Sequence, residues 1–453
     1  MRRKARPGGG KQLELVIDSL GARGDGVAEH EGRPVYVPGT MPGDRLRVKL
    51  VGERSGGFKA EILELLEAGD SHVDAPCQHY GVCGGCNVQH VAPEFYRRWK
   101  RDIVVQALTR KGFSGGEVAE MVQVEAGTRR RAVFSALARG KKVSLGFHER
   151  ESHRVVDVTD CKLLNSSLAG MIAPLRELLV VLLVPEQEKA DITAISSPAG
   201  LDILVVSTAK LTLEGREAIT DFAGKNAVAR FAWNRPGEEP EPVAIRDKPI
   251  QVFGDIPVLP PEGAFLQPST EGQQVLTDLV MGYLPDTFET VADLFSGCGT
   301  FTFPLSKRAQ VHAVEGDERA VMALTTSARR NETAHRITSD CRDLDKDPIT
   351  EEELEGGDCV VIDPPRTGAR EQCYELAKSD IKTIVYVSCS PSTFARDARI
   401  LVEGGYSLQE VTPVDQFIWS EHVELVARFE AEYDTDDDSA DDNSVDLDTV
   451  AGS

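Results

Sequence analysis

The 453-residue chain contains no apolar run approaching eighteen residues, so no transmembrane helix is expected. Its first thirty residues have no apolar core either. Arg2-Arg-Lys-Ala-Arg6 is followed by Gly8-Gly-Gly10, which argues against a secretory signal and leaves a cytoplasmic location as the expectation. In that compartment the nine cysteines, an odd number, are expected to be reduced, and close cysteine spacings point to metal binding or catalysis before disulfides. The spacing of radical enzymes, three and then two residues between cysteines, is missing. The Gly-rich loop at 295–300 lacks the GxGxxG of dinucleotide binders. Residues 430–453 hold ten Asp or Glu and no Lys or Arg, with few large apolar side chains, the composition of a disordered acidic tail.

Charge is unevenly spread. The formal −22 becomes −12 without the ten tail carboxylates, while residues 91–155 carry fourteen Lys or Arg against seven Asp or Glu. Anionic polymers respond to such local patches rather than to whole-chain charge, so RNA remains an admissible partner. The length predicts two to four domains.

Residues 11–66 alternate apolar and polar positions in runs at 13–17, 34–37, 44–50 and 59–65, broken at Gly21-Ala-Arg-Gly-Asp-Gly26 and Pro42-Gly43. That pattern predicts a small antiparallel barrel, either structural or RNA-binding, and the basic arm before it tilts the reading towards RNA. Next come Cys77, Cys83 and Cys86, separated by five and two residues, with Cys161 as a fourth candidate. Thiols so spaced can wrap zinc or an iron-sulfur cluster, and spacing alone does not separate the two. A helix is predicted over 93–108 with an apolar stripe through Phe95, Trp99, Ile103 and Ala107. Arg129-Arg-Arg131 and the basic residues at 139–142 flank a strand at 132–137 and suit phosphate contact. An α+β insert follows over 143–230, with strands at 143–147 and 203–206 and a helical stretch at 163–182. Residues 234–242 read as a loop and 257–263 as turns.

Beyond a helix at 271–283, the strand Thr290–Leu294 runs into Phe295-Ser-Gly-Cys-Gly-Thr300, a helix and a strand at 309–314 that ends in Glu315. Strand, Gly-rich turn, helix and a carboxylate about twenty positions on is the nucleoside-binding logic of doubly wound folds, here without a pyrophosphate. Two further buried strands end in chemistry. Val360-Val-Ile leads to Asp363-Pro-Pro-Arg366, and Ile384-Val-Tyr-Val-Ser leads to Cys389 at a carboxyl end, where ligands bind in such sheets.

Taken together, residues 293–301, Glu315, Asp363-Pro-Pro-Arg-Thr-Gly368, Ser388-Cys-Ser-Pro391 with Ala395-Arg-Asp397, and His422-Val-Glu424 resemble the AdoMet-dependent RNA (uracil-5-)-methyltransferases. The resemblance spans residues 11 to about 429. It implies a multidomain α/β fold: a basic arm at 1–10, a TRAM or OB-like β-barrel at 11–66, a central α+β domain with an iron-sulfur site at 67–255, a Rossmann-like class I methyltransferase sheet at 256–429 and the acidic tail at 430–453. It also implies a [4Fe-4S] cluster on Cys77, Cys83, Cys86 and Cys161, and S-adenosyl-L-methionine (AdoMet) contacts at Gln267, Phe295, Thr300, Glu315, Asp340 and Asp363. Within the family, having both barrel and cluster is the pattern of the 23S rRNA enzymes, working as monomers. Three positions depart from the usual motifs: Ser390 stands for Asn, Ser296 for a common Cys, and Phe417-Ile-Trp-Ser-Glu421 lacks a proline.

The implied chemistry needs these residue types. Uracil C5 is a poor nucleophile until a thiolate adds at C6, which is the role implied for Cys389. The methylated adduct must then lose its C5 proton to a base, implied to be Glu424. Alternatives are a tRNA uridine-5 methyltransferase, an RNA cytosine-5 methyltransferase and a non-catalytic RNA-binding factor. The second would carry a cysteine soon after the Asp-Pro motif, where this chain has Arg366.

Overall fold

A computed structural model describes residues 11–432, apart from 141, 184–187 and 334. The expected basic arm and the acidic stretch beyond 432 lie outside the described residues. Glu430 and Ala431, assigned to the tail from composition, instead end the strand Glu424–Ala431, where Ala431 pairs with Tyr406.

The buried strands assemble into an eight-stranded sheet ordered Ile337–Cys341, Gln310–Glu315, Thr290–Leu294, Cys359–Ile362, Thr383–Ser388, Glu424–Ala431, Tyr406–Asp415 and Val122–Gln123. The first five are parallel, and Glu424–Ala431 runs antiparallel to both its neighbours. Cys359–Ile362 and Thr383–Ser388 are buried at every residue, because helices cover both faces of the sheet. Alternate residues go to opposite sides: Ile384 and Tyr386 join one apolar cluster, Val385 and Val387 another. The chain enters at Thr290–Leu294, winds outward for two strands, then crosses back to Cys359–Ile362. That reversal opens a crevice beyond the carboxyl ends of these two strands.

Pro93–Thr109 is a helix opened by its proline, but its buried face is Tyr96, Trp99, Lys100, Val104 and Leu108. The expected stripe is thus displaced by one residue, because this face must meet the helix Pro391–Glu403. Val122–Gln123 adds to the far edge of the same sheet. Residues 93–123, expected in the central unit, therefore cover and extend the C-terminal one.

A seven-stranded sheet, Val155–Asp157, Lys142–His148, Arg131–Arg139, Lys189–Ser197, Gly200–Ser207, Val228–Asn234 and Glu241–Ile245, is packed by helices Ser166–Leu182 and Leu213–Lys225. The first of these helices starts at Ser166 rather than 163, since the Asn165 side chain accepts from Leu168 N and caps it there. Glu241–Ile245 emerges from the expected loop, with a register shift at Phe231/Ala232 where Pro242 pairs. The expected border at 255/256 falls in the turn of a hairpin, Gln251–Phe253 with Ile256–Val258.

The N-terminal sheet has six strands, Gln12–Val16, Arg45–Arg54, Gly57–Glu67, Arg33–Pro38, Asp25–His30 and Ser19–Leu20, around Leu15, Ile17, Val35, Val37, Leu46 and Val48. Its last two strands had no sequence signal, Ser19–Leu20 being only two residues long and Asp25–His30 carrying a glycine and two acidic residues among its six. Buried Asp25 accepts from Arg54 at 2.7 Å and from Arg150 at 2.8 Å, tying this sheet to the central unit. No helix among the described residues is long and apolar enough to cross a membrane.

One ion pair is fully enclosed. Lys100 Nζ lies 2.8 Å from Asp415 Oδ1, both side chains at 0% exposure, and Tyr96 Oη donates to Asp415 Oδ2 at 2.6 Å. Removing one member leaves an unpaired buried charge, so Lys100→Met is expected to cost about 3–5 kcal/mol. A chemical-denaturation midpoint unchanged from wild type would contradict this.

Candidate active site

The strand Thr290–Leu294 ends in a turn that side chains tolerate poorly. Phe295 has φ +61°, and Gly297 and Gly299 follow at +55° and +97°. A Cβ on Gly299 would stand 2.6 Å from the Phe303 ring, so only glycine fits there. Ser296 N donates to Val314 O at 3.0 Å, and the Glu315 carboxylate accepts from Gly297 N at 2.9 Å and Asp317 N at 2.8 Å. Beneath the loop, Asp293 is fully buried. Thr302 donates to its Oδ2 at 2.5 Å while Oδ1 has no partner among the described residues, and burial pushes the carboxyl up to about 7.

Above these strand ends lies a cleft of about 650 Å³ lined by Gln267, Phe295, Thr300, Glu315, Asp363, Cys389 and Glu424, with Arg366 and His422. The fold thus brings together every expected cofactor and catalytic position except Asp340. That residue lies on Ile337–Cys341 with its carboxylate 3.4 Å from His312 Nε2. The strand stops at Cys341, and Asp343, just past its end, lines the cleft instead.

Cys389 sits between the strand Thr383–Ser388 and the helix that Pro391 opens, and Ser390 N donates to Ser388 Oγ at 3.1 Å across the bend. Burial pushes the thiol up to about 11, helped by the Glu424 and Asp363 charges and opposed by Arg366. Glu424, 3% exposed, is pushed up to about 7 by burial, against a hydrogen bond from Gln416 and the Arg366 cation. Asp363 stands well above the usual carboxylate range, through burial first and then the Glu424 and Asp293 charges.

Gln416 escaped sequence reasoning. Its Nε2 lies 2.8 Å from Gln267 Oε1 and 3.0 Å from Glu424 Oε2, and Gln267 Nε2 is 3.4 Å from Asp363 Oδ2. Nothing local marks it, since these partners meet only when the loop after Tyr406–Asp415 folds over the cleft. That loop is held from below: Lys100 Nζ donates to the carbonyls of Phe417 and His422, Asn87 N donates to Trp419 O at 2.9 Å, and Trp419 N donates to Tyr96 Oη at 3.0 Å.

A second cavity, about 70 Å³, is lined by Cys77, Cys83, Cys86 and Cys161 together with Arg129. Gly84 N donates to His148 O at 2.9 Å, and a Cβ there would come within 2.8 Å of that oxygen, which accounts for the glycine. Burial raises the Cys83, Cys86 and Cys161 thiols, Cys86 to about 12, and the charges of the other thiols add to it. Among the described residues no three His, Cys, Asp or Glu close up around a single metal ion. The four thiols line one cavity.

The sequence profile of the tRNA (Uracil-5-)-methyltransferase family matches residues 348–430, which hold Asp363, Cys389 and Glu424. An uncharacterized RNA methyltransferase of Rhizobium meliloti is 38% identical over 422 residues, covering 92% of this chain and 99% of its own. The 23S rRNA (uracil(1939)-C(5))-methyltransferase RlmD of Shewanella woodyi is 31% identical over 438 residues, 94% of this chain and 98% of its own. The chain belongs to the RNA (uracil-5-)-methyltransferase family. The fold of this methyltransferase is shared with Pyrococcus abyssi tRNA (uracil-54, C5)-methyltransferase, solved with S-adenosyl-L-homocysteine, at TM-score 0.71, 22% identity and coverage of 92% and 99%. It is an AdoMet-dependent enzyme acting on RNA.

Glu424 gives a pH signature. Its folded value of about 7 lies above the ordinary 4.5, so the folded chain keeps a proton that the unfolded chain has released within that window. The stability it contributes is present below about 4.5 and is lost as pH rises through about 7. Glu424→Gln, which cannot ionise, should therefore melt above wild type at pH 8 and level with it at pH 4. Parallel melting curves across that range would rule this out.

Proposed function

We propose that this methyltransferase modifies C5 of one uridine in 23S rRNA, with Cys389 as the nucleophile and Glu424 as the base. The observation that carries the reading is the opening of Asp363 and Cys389, at the carboxyl ends of adjacent parallel strands, and of Glu424, at the amino end of the antiparallel strand beside them, onto one cleft. Before substrates bind, a thiol pushed up to about 11 holds its proton at neutral pH, mainly through burial and partly through the two neighbouring carboxylates. A methyl donor carrying a sulfonium cation, held by Gln267, Phe295, Thr300, Glu315 and Asp363, offsets that negative charge and favours the thiolate.

The Cys389 thiolate then adds to uracil C6, the electron pair moves to C5 and O4, and C5 takes the methyl group from AdoMet, which leaves as S-adenosyl-L-homocysteine. Glu424 accepts the C5 proton, the C5–C6 double bond re-forms and Cys389 departs. With a value of about 7, Glu424 is poised between base and acid at neutral pH. Ser390 and Ser296 keep hydrogen-bonding capacity at two of the three departures from the family motifs.

The proposal includes a TRAM-type RNA-holding role for residues 11–66 and a catalytic role for the C-terminal unit, which residues 93–123 cover and extend. It also gives Cys77, Cys83, Cys86 and Cys161 a [4Fe-4S] cluster. Four half-buried thiols lining one cavity suit a thiolate-held cluster, which would staple segments distant in sequence. The 31% identity to the Shewanella 23S rRNA enzyme, held over 98% of that enzyme's length, is what supports ribosomal RNA as the substrate. Mass spectrometry of both RNA pools from a strain lacking the protein decides this by which 5-methyluridine disappears.

Two outcomes are expected from the purified enzyme. Prepared without oxygen, it should carry about four irons with sulfide per chain, and stoichiometric zinc without sulfide would reject the cluster. Cys389→Ala should bind AdoMet and RNA but form neither adduct nor product. Glu424→Gln should add, methylate and stall, leaving a cofactor-dependent protein-RNA crosslink on a denaturing gel that vanishes in the double variant. Near wild-type turnover by Glu424→Gln without a crosslink would move the base elsewhere.

A further inference from the structure

The loop that closes the cleft carries a side chain placed to govern the base without touching the methylated carbon. Gln416 is 6% exposed, and its single amide nitrogen serves two acceptors, Gln267 Oε1 at 2.8 Å and Glu424 Oε2 at 3.0 Å. Gln267 in turn donates from Nε2 to Asp363 Oδ2 at 3.4 Å. The amide orientations in this chain are mutually consistent. Flipping Gln416 would set its oxygen against two oxygens, and flipping Gln267 would set an amide nitrogen against the Gln416 nitrogen and an oxygen against Asp363.

Gln416 Oε1, by contrast, is buried without a partner among the described residues. It lies where Gly272 leaves room: a Cβ on Gly272 would stand 2.5 Å from that oxygen. The first turn of the helix Thr270–Tyr283 is thus shaped around the Gln416 amide. From Glu424, only Oε2 is engaged by a side chain among the described residues, leaving Oε1 to receive a proton.

We propose that Gln416 is a positioning residue for proton removal: by occupying Glu424 Oε2 it leaves Oε1 to take the C5 proton, and by gripping Gln267 it couples the base to Asp363. This rests on the reading of Glu424 as the base. A donor that can only donate discriminates between the two carboxylate oxygens, because a proton on Oε2 would face an N–H. The same bond favours the ionised form of Glu424 and so the form that can act as base. The role predicts that losing Gln416 slows the step after methyl transfer and leaves the addition and transfer steps in place.

The test compares wild type, Gln416→Met, Gly272→Ala and Glu424→Gln, using the whole enzyme, AdoMet and an RNA substrate. Gln416→Met keeps the volume and removes the donor. Gly272→Ala keeps the donor and pushes it off its position, so the two variants fail for different reasons in folding but for the same reason in catalysis. Both should bind AdoMet by calorimetry, lose about 10- to 100-fold in kcat, accumulate the protein-RNA adduct during turnover and show the acidic limb of the kcat–pH profile moved upward by roughly one unit. Raising the pH should release the accumulated adduct to product in these two variants and not in Glu424→Gln. Wild-type kcat and an unmoved limb in both variants would overturn the role of Gln416, as would a defect confined to AdoMet affinity with no adduct. Absence of an adduct in Glu424→Gln itself would instead overturn the base assignment.

Discussion

The buried pair of Lys100 and Asp415 sets where the catalytic loop can lie. Asp415 closes the strand Tyr406–Asp415, and Lys100, from a helix more than three hundred positions earlier, neutralises it while donating to the carbonyls of Phe417 and His422. A desolvated ammonium is tolerated only when its protons are all placed. Here its acceptors are the strand end and the loop that carries Gln416, Phe417 and His422 towards Glu424. Tyr96 and Asn87 hold Trp419, at φ +59°, from the same side. The N-terminal third of the chain thereby acts as the floor of a site whose reactive groups are C-terminal.

Above that floor the cleft concentrates like charge. Asp293, Asp363 and Glu424 are buried carboxyls, the first and last at about 7, and they stand with a thiol pushed up to about 11. An apo site so built favours its neutral forms, and Arg366 alone among the causes at Cys389 and Glu424 supplies a positive side chain against them. In the proposed mechanism a bound cationic methyl donor would shift that balance towards the Cys389 thiolate. The raised value of Glu424 also suits the late role proposed for it, since a carboxylate that is too acidic would not hold a proton taken from carbon.

The cysteine cavity is linked to this arrangement through the backbone. Asn87 follows Cys86 directly, its N–H holds Trp419 O, and its side chain donates to Glu421 at 2.7 Å. Arg129, which lines the cysteine cavity, places its guanidinium 5.8 Å from the ring of Phe417, which lines the active cleft. Residues around the four thiols therefore pack against the catalytic loop, giving the proposed cluster a mechanical route to the site without a part in the chemistry.

By itself the sequence determined the elements whose causes are local. Unbroken β-branched runs ending at Asp363 and Cys389 could only be covered strands, the glycines of 295–300 required a tight turn, and the thiols at 77, 83 and 86 were already close along the chain. The placing of Asp363 and Cys389 at neighbouring strand ends, and the sheet that carries them, were legible for that reason. Only the tertiary structure decided that Lys100 is buried, that Asp343 rather than Asp340 reaches the cleft, that Asp25–His30 is a strand, and that Gln416 touches both Gln267, 149 positions away, and Glu424. Periodicity reports which face of an element is covered, but a hydrogen-bond partner depends on which strand ends the winding of the sheet brings side by side, and that is a property of the whole topology.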